Sequence, residues 1–170
     1  MSRRSWPNDP ADIPMWHRLD ARLTTSGQPT EEQLARLPAL GVTHVVNLAL
    51  HSHTQALADE AGSTAALGMG YTNIPVAFDA PTEADFARFA ALMDQLAGAV
   101  VHVHCIANLR VSAFLYRYAC GRHPERQAEA AAELERLWRP GGVWAHFVGV
   151  PEAADLPHRY EGADYEFSPP

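Results

Sequence analysis

The sequence predicts an α/β fold, a mainly parallel central sheet flanked by helices, and three observations predict it. Strand-like apolar runs alternate with amphipathic helical stretches, the order that builds βαβ units. The run 99–104 is apolar except for His102 and His104, as expected of a strand covered on both faces. The chain has 170 residues, 47% hydrophobic and 19% charged, which fits one globular domain.

Taken in order, residues 1–20 are rich in Pro, Asp and Arg and carry Trp6 and Trp16; they read as an arm lying over a domain of 21–154. Thr30-Glu-Glu-Gln33 has capping-box spacing and opens a helix with Leu34 and Leu37, shortened by Pro38 and Gly41. Residues 43–50 read as a strand and 55–67 as a weaker helix, interrupted by Gly62 and ended by Gly68 and Gly70. A short strand follows at 71–76, where Pro75 implies an edge position or an early end.

Thr82 caps the clearest helix, with Phe86, Phe89, Ala90, Met93, Leu96 and Ala97 at three- and four-residue intervals. After the strand 99–104 comes a helix whose inner stripe is Val111, Phe114, Leu115 and Tyr118. Pro124 starts another, with Ala130, Ala131, Leu134, Leu137 and Trp138 inward, and 143–148 closes the domain as a short helix. The tail 155–170 reads as irregular.

The chemistry concentrates where the strand 99–104 turns into its helix. Cys105 sits at the turn and Arg110 opens the helix. A free thiol, with a pKa of about 8.5, is a useful nucleophile near neutrality only when its thiolate is stabilised. The backbone N–H groups of Ile106, Ala107, Asn108 and Leu109, the helix dipole and the planar fork of Arg110 together form an anion site able to do that. The other reading of Cys105 is a packed strand-end cysteine. His104 is placed to polarise Cys105 through backbone or side-chain hydrogen bonds.

The loop has no glycine, so Asn108 is the residue expected in the left-handed conformation that turns N–H groups inward. Ser112 is a candidate donor to the Cys105 sulfur. Asn108 and Ser112 read equally well as an ordinary loop asparagine and a capping serine.

Ligand sites in parallel sheets lie beyond the C-terminal strand ends. Two further loops reach that edge, His51-Ser-His53 and Ala77-Phe-Asp79-Ala-Pro81. Asp79 is therefore the best-placed acid for a leaving group, or else a turn aspartate ahead of a proline. Glu83 and Asp85 are its rivals, though acids in a first helical turn are favoured by the dipole alone. His102 and His104 share a strand face, a poor arrangement for converging on one metal ion, and no metal is expected. Cys120 lies ten residues beyond Arg110 on the same helix, roughly 15 Å along its axis, too far to resolve an oxidised Cys105.

The net charge of −7 repels polyanions, so nucleic acid is not an expected partner. The N-terminus has no signal-like apolar stretch and no run approaches the roughly 18 apolar residues of a membrane span. With two cysteines, a cytoplasmic, reducing setting is expected.

Strand, His104-Cys105, short loop, Arg110 and helix resemble the cysteine-dependent protein tyrosine and dual-specificity phosphatases. The closer resemblance is to a bacterial tyrosine-phosphatase-like branch related to the phosphatase-like domain of the beta-lactamase-hydrolase-like proteins. It covers roughly 22–150, through Thr25-Ser-Gly-Gln-Pro-Thr30, Val45-Val-Asn-Leu48, Asn73-Ile-Pro-Val76, Ala80-Pro-Thr-Glu-Ala-Asp85 and Val103-His-Cys-Ile-Ala-Asn-Leu-Arg-Val-Ser-Ala-Phe114.

The resemblance implies a tyrosine-phosphatase-like fold and a hydrolase acting on a phosphoprotein or a small phosphomonoester without a cofactor. Cys105 would attack phosphorus, Arg110 and the loop N–H groups would hold the equatorial oxygens, and Asp79 would protonate the leaving oxygen. The loop departs from that pattern. Four residues separate Cys105 from Arg110 where tyrosine phosphatases have five, and Val111 stands where a hydroxyl residue normally follows the arginine. The four-residue spacing also resembles the active loop of rhodanese-type sulfurtransferases, which implies a persulfide on Cys105 as the alternative. A non-catalytic anion-binding module is the third reading.

Overall fold

The computed structural model describes residues 6–160 and 163–165. The outer parts of the expected arm and tail, 1–5, 161–162 and 166–170, lie outside the described residues. A five-stranded sheet runs in the order β1-β2-β5-β3-β4, from β1 (His17–Arg18), β2 (Leu23–Ser26), β3 (His44–Asn47), β4 (Gly70–Asn73) and β5 (Val101–His104). All neighbours pair in parallel except β1 with β2. The sheet is therefore mainly parallel, and β5 lies at its centre between β2 and β3.

The helices are α1 (Glu31–Leu34), α2 (Glu60–Ala66), α3 (Glu83–Gln95), α4 (Leu109–Arg122), α5 (Gln127–Glu135) and α6 (Gly142–Phe147). The expected capping box forms on α1, Thr30 with Gln33, and the expected cap Thr82 makes a second box with Asp85 on α3. Helix α2 starts later than the sequence pattern suggests, because Asp59, whose side chain accepts from the Gly62 N–H, is its cap. No helix among the described residues is long and apolar enough to cross a membrane.

Alternation along β3 shows why both faces of the sheet must be covered. Val46 joins a cluster with Phe89, Phe114, Val103 and Trp144, whereas its neighbour Val45 packs on the other side with Leu34, Leu37 and Met69. Pro75 marks the early end of β4, an edge strand: Ile74 and Val76 still donate to the Asn47 and Leu48 carbonyls, and the proline between them has no N–H to give.

Strand β2 is a feature that hydrophobic patterning hides. Its buried Thr24 and Ser26 face β5, where their hydroxyls lie 2.8 Å from Nδ1 and Nε2 of the buried His102. A polar strand is matched here by a polar residue on its partner, so burial costs little. Within the arm, β1 pairs with β2, and the Trp16 ring stacks on His102 at 5.2 Å between centroids. At the other end, part of the segment expected to be irregular forms β7 (His158–Tyr160) and β8 (Ala163–Tyr165), which make a second antiparallel sheet with β6 (Trp138–Arg139).

Candidate active site

Cys105 leaves the central strand at the C-terminal edge of the sheet, gripped on both sides. Its N–H donates to the Ser26 carbonyl at 3.4 Å, and the His104 carbonyl accepts from Leu48 N–H at 2.9 Å. The loop then turns on Asn108, which has φ 63° and ψ 7°. This is the left-handed residue that the glycine-free sequence requires. Its side-chain amide donates to the Met15 carbonyl and to Thr25 Oγ1, both at 2.9 Å. Asparagine here therefore supplies the turn and two anchors at once.

In a trans peptide a carbonyl and the following N–H point in opposite directions, so the bonds that hold the loop's carbonyls also aim its donors. The Cys105 carbonyl is 3.1 Å from His104 Nδ1, and the Ile106 carbonyl accepts from Gln28 N–H at 3.1 Å. Asn108 and Leu109 carbonyls accept from the N–H and the hydroxyl of Ser112. The N–H groups of Ile106, Ala107, Leu109 and Arg110 are thereby turned the other way. Among the described residues, none of the N–H groups of Ile106, Ala107, Asn108, Leu109 and Arg110 has a backbone acceptor outside the helix. Gly27 is required beside them, since a Cβ there would lie 2.3 Å from the Ile106 carbonyl oxygen.

Arg110 is 4% exposed, and among the described residues no carboxylate pairs with it. Its Nη1 donates to the Val76 carbonyl at 2.9 Å, while Nε is buried without a partner. Leaving a buried charged donor unmatched costs more than about 1–3 kcal/mol, a cost that a bound oxyanion would remove. The Arg110–Val76 bond also ties the loop after β4 to the start of α4.

That loop carries Asp79, which is exposed on the turn closed by Ala80 N–H to the Ala77 carbonyl. The turn is pinned by Trp144 Nε1, which donates to the Phe78 carbonyl at 2.6 Å. No hydrogen bond or ion pair engages the Asp79 side chain among the described residues, whereas its rivals are occupied: Glu83 pairs with Arg117, and the Asp85 carboxylate accepts from the Thr82 N–H and pairs with Arg88.

One supporting assignment changes. Ser112 does not donate to the Cys105 sulfur, because its hydroxyl proton goes to the Leu109 carbonyl and its oxygen accepts from Trp138 Nε1. His104 reaches Cys105 through the backbone carbonyl, and its Nε2 lies 2.6 Å from Glu60 Oε2. His102 has both ring nitrogens on hydroxyls, and burial holds its pKa well below the usual histidine range, so it is neutral.

Glu60, buried in the first turn of α2, is a residue that sequence reasoning passed over. Burial opposes its charge, but hydrogen bonds from His104 and Gln28 and the nearby histidine charge outweigh it and hold the carboxyl below the usual range. Its only signal in the sequence is an acid next to a helix cap, which is common. His51, on the loop after β3, shares a 2.9 Å hydrogen bond with the Tyr71 hydroxyl, whose pKa burial pushes up to about 12. Cys120 is a free, half-buried thiol further along α4.

Replacing Asn108 with alanine should destabilise the protein by about 2–3 kcal/mol, from left-handed strain and two lost hydrogen bonds. For a chain of this size that lowers Tm by roughly 4–12 °C. Asn108→Gly, which keeps the backbone conformation, should lose less in the same thermal melt.

No protein-family model matches the chain, and no curated protein matches it. Solved structures do, and those below have tyrosine-phosphatase-like folds. A Shewanella putrefaciens CN-32 protein described as "Putative phosphatase (DUF442)" is 34% identical over 81% of this chain and 90% of its own, with a TM-score of 0.70. TpbA of P. aeruginosa, in complex with pTyr, is 18% identical over 71% of each chain with a TM-score of 0.58. PTPMT1 in complex with PI(5)P is 22% identical, covers 78% of this chain and 94% of its own, and has a TM-score of 0.58. The chain thus has the tyrosine-phosphatase-like fold. It belongs to the DUF442 family.

Proposed function

We propose that the protein is a phosphomonoester hydrolase that works through a cysteinyl-phosphate on Cys105. The observation that carries this reading is Arg110, a buried guanidinium with an unmatched Nε and, among the described residues, no carboxylate partner, beside a loop whose N–H groups are turned away from its carbonyls. Such a cradle stabilises charge on equatorial phosphoryl oxygens as it develops.

Cys105 thiolate attacks phosphorus, the bond to the leaving oxygen breaks, and Asp79 gives that oxygen its proton. Water then attacks the cysteinyl-phosphate and loses a proton to the Asp79 carboxylate. The S–P bond breaks, inorganic phosphate leaves and the thiolate returns. No step calls on a cofactor. The substrate is a phosphoprotein or a small phosphomonoester. The pTyr complex of TpbA and the PI(5)P complex of PTPMT1 both present a phosphomonoester.

The four-residue spacing between Cys105 and Arg110 favours one other reading, sulfur transfer through a Cys105 persulfide. One preparation assayed with p-nitrophenyl phosphate and with thiosulfate plus cyanide separates the two. Phosphate release lost in Cys105→Ser supports hydrolysis, and thiocyanate formation without phosphate release rejects it. In the same assay Asp79→Asn should lower kcat about 10²–10³-fold on an alkyl phosphate and much less on p-nitrophenyl phosphate, whose leaving group needs little protonation. Equal losses on both substrates would assign the proton to another acid.

A further inference from the structure

Glu60 takes no part in the chemistry above, yet it is the deepest acid beside the loop, at 4% exposure. Oε2 is 2.6 Å from His104 Nε2, and Oε1 accepts from Gln28 Nε2 at 2.9 Å. The other ring nitrogen of His104 is 3.1 Å from the Cys105 carbonyl. A carbonyl can only accept, so Nδ1 carries a proton. A carboxylate can only accept, so Nε2 carries one as well. The carboxyl of Glu60 is held in its ionised form by these same partners, with His51 adding to the effect.

With an acceptor facing each ring nitrogen, the fully buried imidazole is placed to carry a proton on both and to pair with Glu60. The pair is neutral overall but polar. Its positive end rests on the Cys105 carbonyl, and its negative end rests on α2 and Gln28. Through its backbone N–H, Gln28 also holds the Ile106 carbonyl, so one connected set of bonds fixes the first two carbonyls of the loop.

We infer that Glu60 is a positioning residue for Cys105: it keeps His104 protonated and aimed, which fixes the Cys105 carbonyl, turns the Ile106 N–H into the anion site and puts a positive charge next to the nucleophile. A neutral imidazole has one N–H and cannot serve both oxygens. Loss of the carboxylate leaves His104 neutral, and the positive end of the pair disappears. The inference rests on Cys105 being the nucleophile proposed above.

The test reads the thiol directly, without phosphoryl transfer. Iodoacetamide alkylation of Cys105 near pH 6.5 should be about tenfold slower in Glu60→Gln, a near isostere, and in His104→Asn. The double variant should be no slower than the slower single, since the two residues act in one chain. Side-chain NMR of His104 should show both ring nitrogens protonated in the native protein and one in Glu60→Gln, with thermal melts reporting that each variant is folded.

Alkylation of Glu60→Gln at the native rate would overturn the inference, as would a double-variant loss equal to the product of the single ones. If Glu60→Gln does not fold, a neutral His104 in the native protein overturns it by itself. A protein inactive on phosphomonoesters in which Glu60→Gln still slows alkylation would contradict the proposed hydrolysis and keep this inference.

Discussion

Arg110→Ala removes turnover and oxyanion binding together. The guanidinium is buried among Val76, Phe78 and the loop, with its Cζ 6.0 Å from the Phe78 ring centroid. Water cannot take over its role there. Removing one preorganised donor from an oxyanion site costs about 10²–10³ in kcat, and the fork of Arg110 offers more than one to the same group. A fall in kcat/KM of about 10⁴ or more is expected, with inorganic phosphate inhibition lost in parallel. Lysine restores the charge but not the planar fork, so Arg110→Lys should recover only a small part. The protein should stay folded, because the substitution deletes an unpaired buried cation and leaves only the Val76 carbonyl without its donor. Near-normal turnover in Arg110→Ala would mean that the anion site lies elsewhere.

Cys105→Ser has the second large effect, of a different kind. Sulfur and hydroxyl oxygen are close in size, so the loop, with its carbonyls held by His104, Gln28 and Ser112, should keep its shape. Phosphate affinity should then remain within a few-fold of the native value. The hydroxyl stays protonated near neutrality, so turnover should fall by about 10⁵ or more. Retained binding with lost chemistry distinguishes Cys105 from Arg110, whose replacement removes both.

The sequence was informative where local rules govern. The capping residues Thr30 and Thr82, the edge character of β4 at Pro75 and the left-handed Asn108 follow from propensities acting over a few residues. The Cys105–Arg110 turn could be placed because one apolar strand precedes it and one amphipathic helix follows it. Less legible were contacts made between distant segments. Leu23-Thr-Thr-Ser26 carries no apolar run to mark it as a strand, and its burial makes sense only with His102 opposite it, 76 residues from Ser26. Ser112 looked like a partner for the sulfur because of its distance along the chain, but its hydroxyl is turned to the helix backbone and to Trp138, 26 residues away. Glu60 gains its meaning only from His104, 44 residues on. Polar burial is a property of pairs, and no hydrophobic periodicity announces it.

On the proposed reading Arg110, Cys105 and the loop N–H groups hold one tetrahedral oxyanion, and the central claim is that phosphorus becomes bonded to Cys105 within that site. The direct measurement is a rapid acid quench during turnover of a radiolabelled aryl phosphate, followed by digestion and peptide mapping. The account predicts label on the peptide containing Cys105, accumulating when Asp79→Asn slows hydrolysis and absent from Cys105→Ser. Phosphate release at full rate with no label on Cys105, or label on another residue, would contradict it.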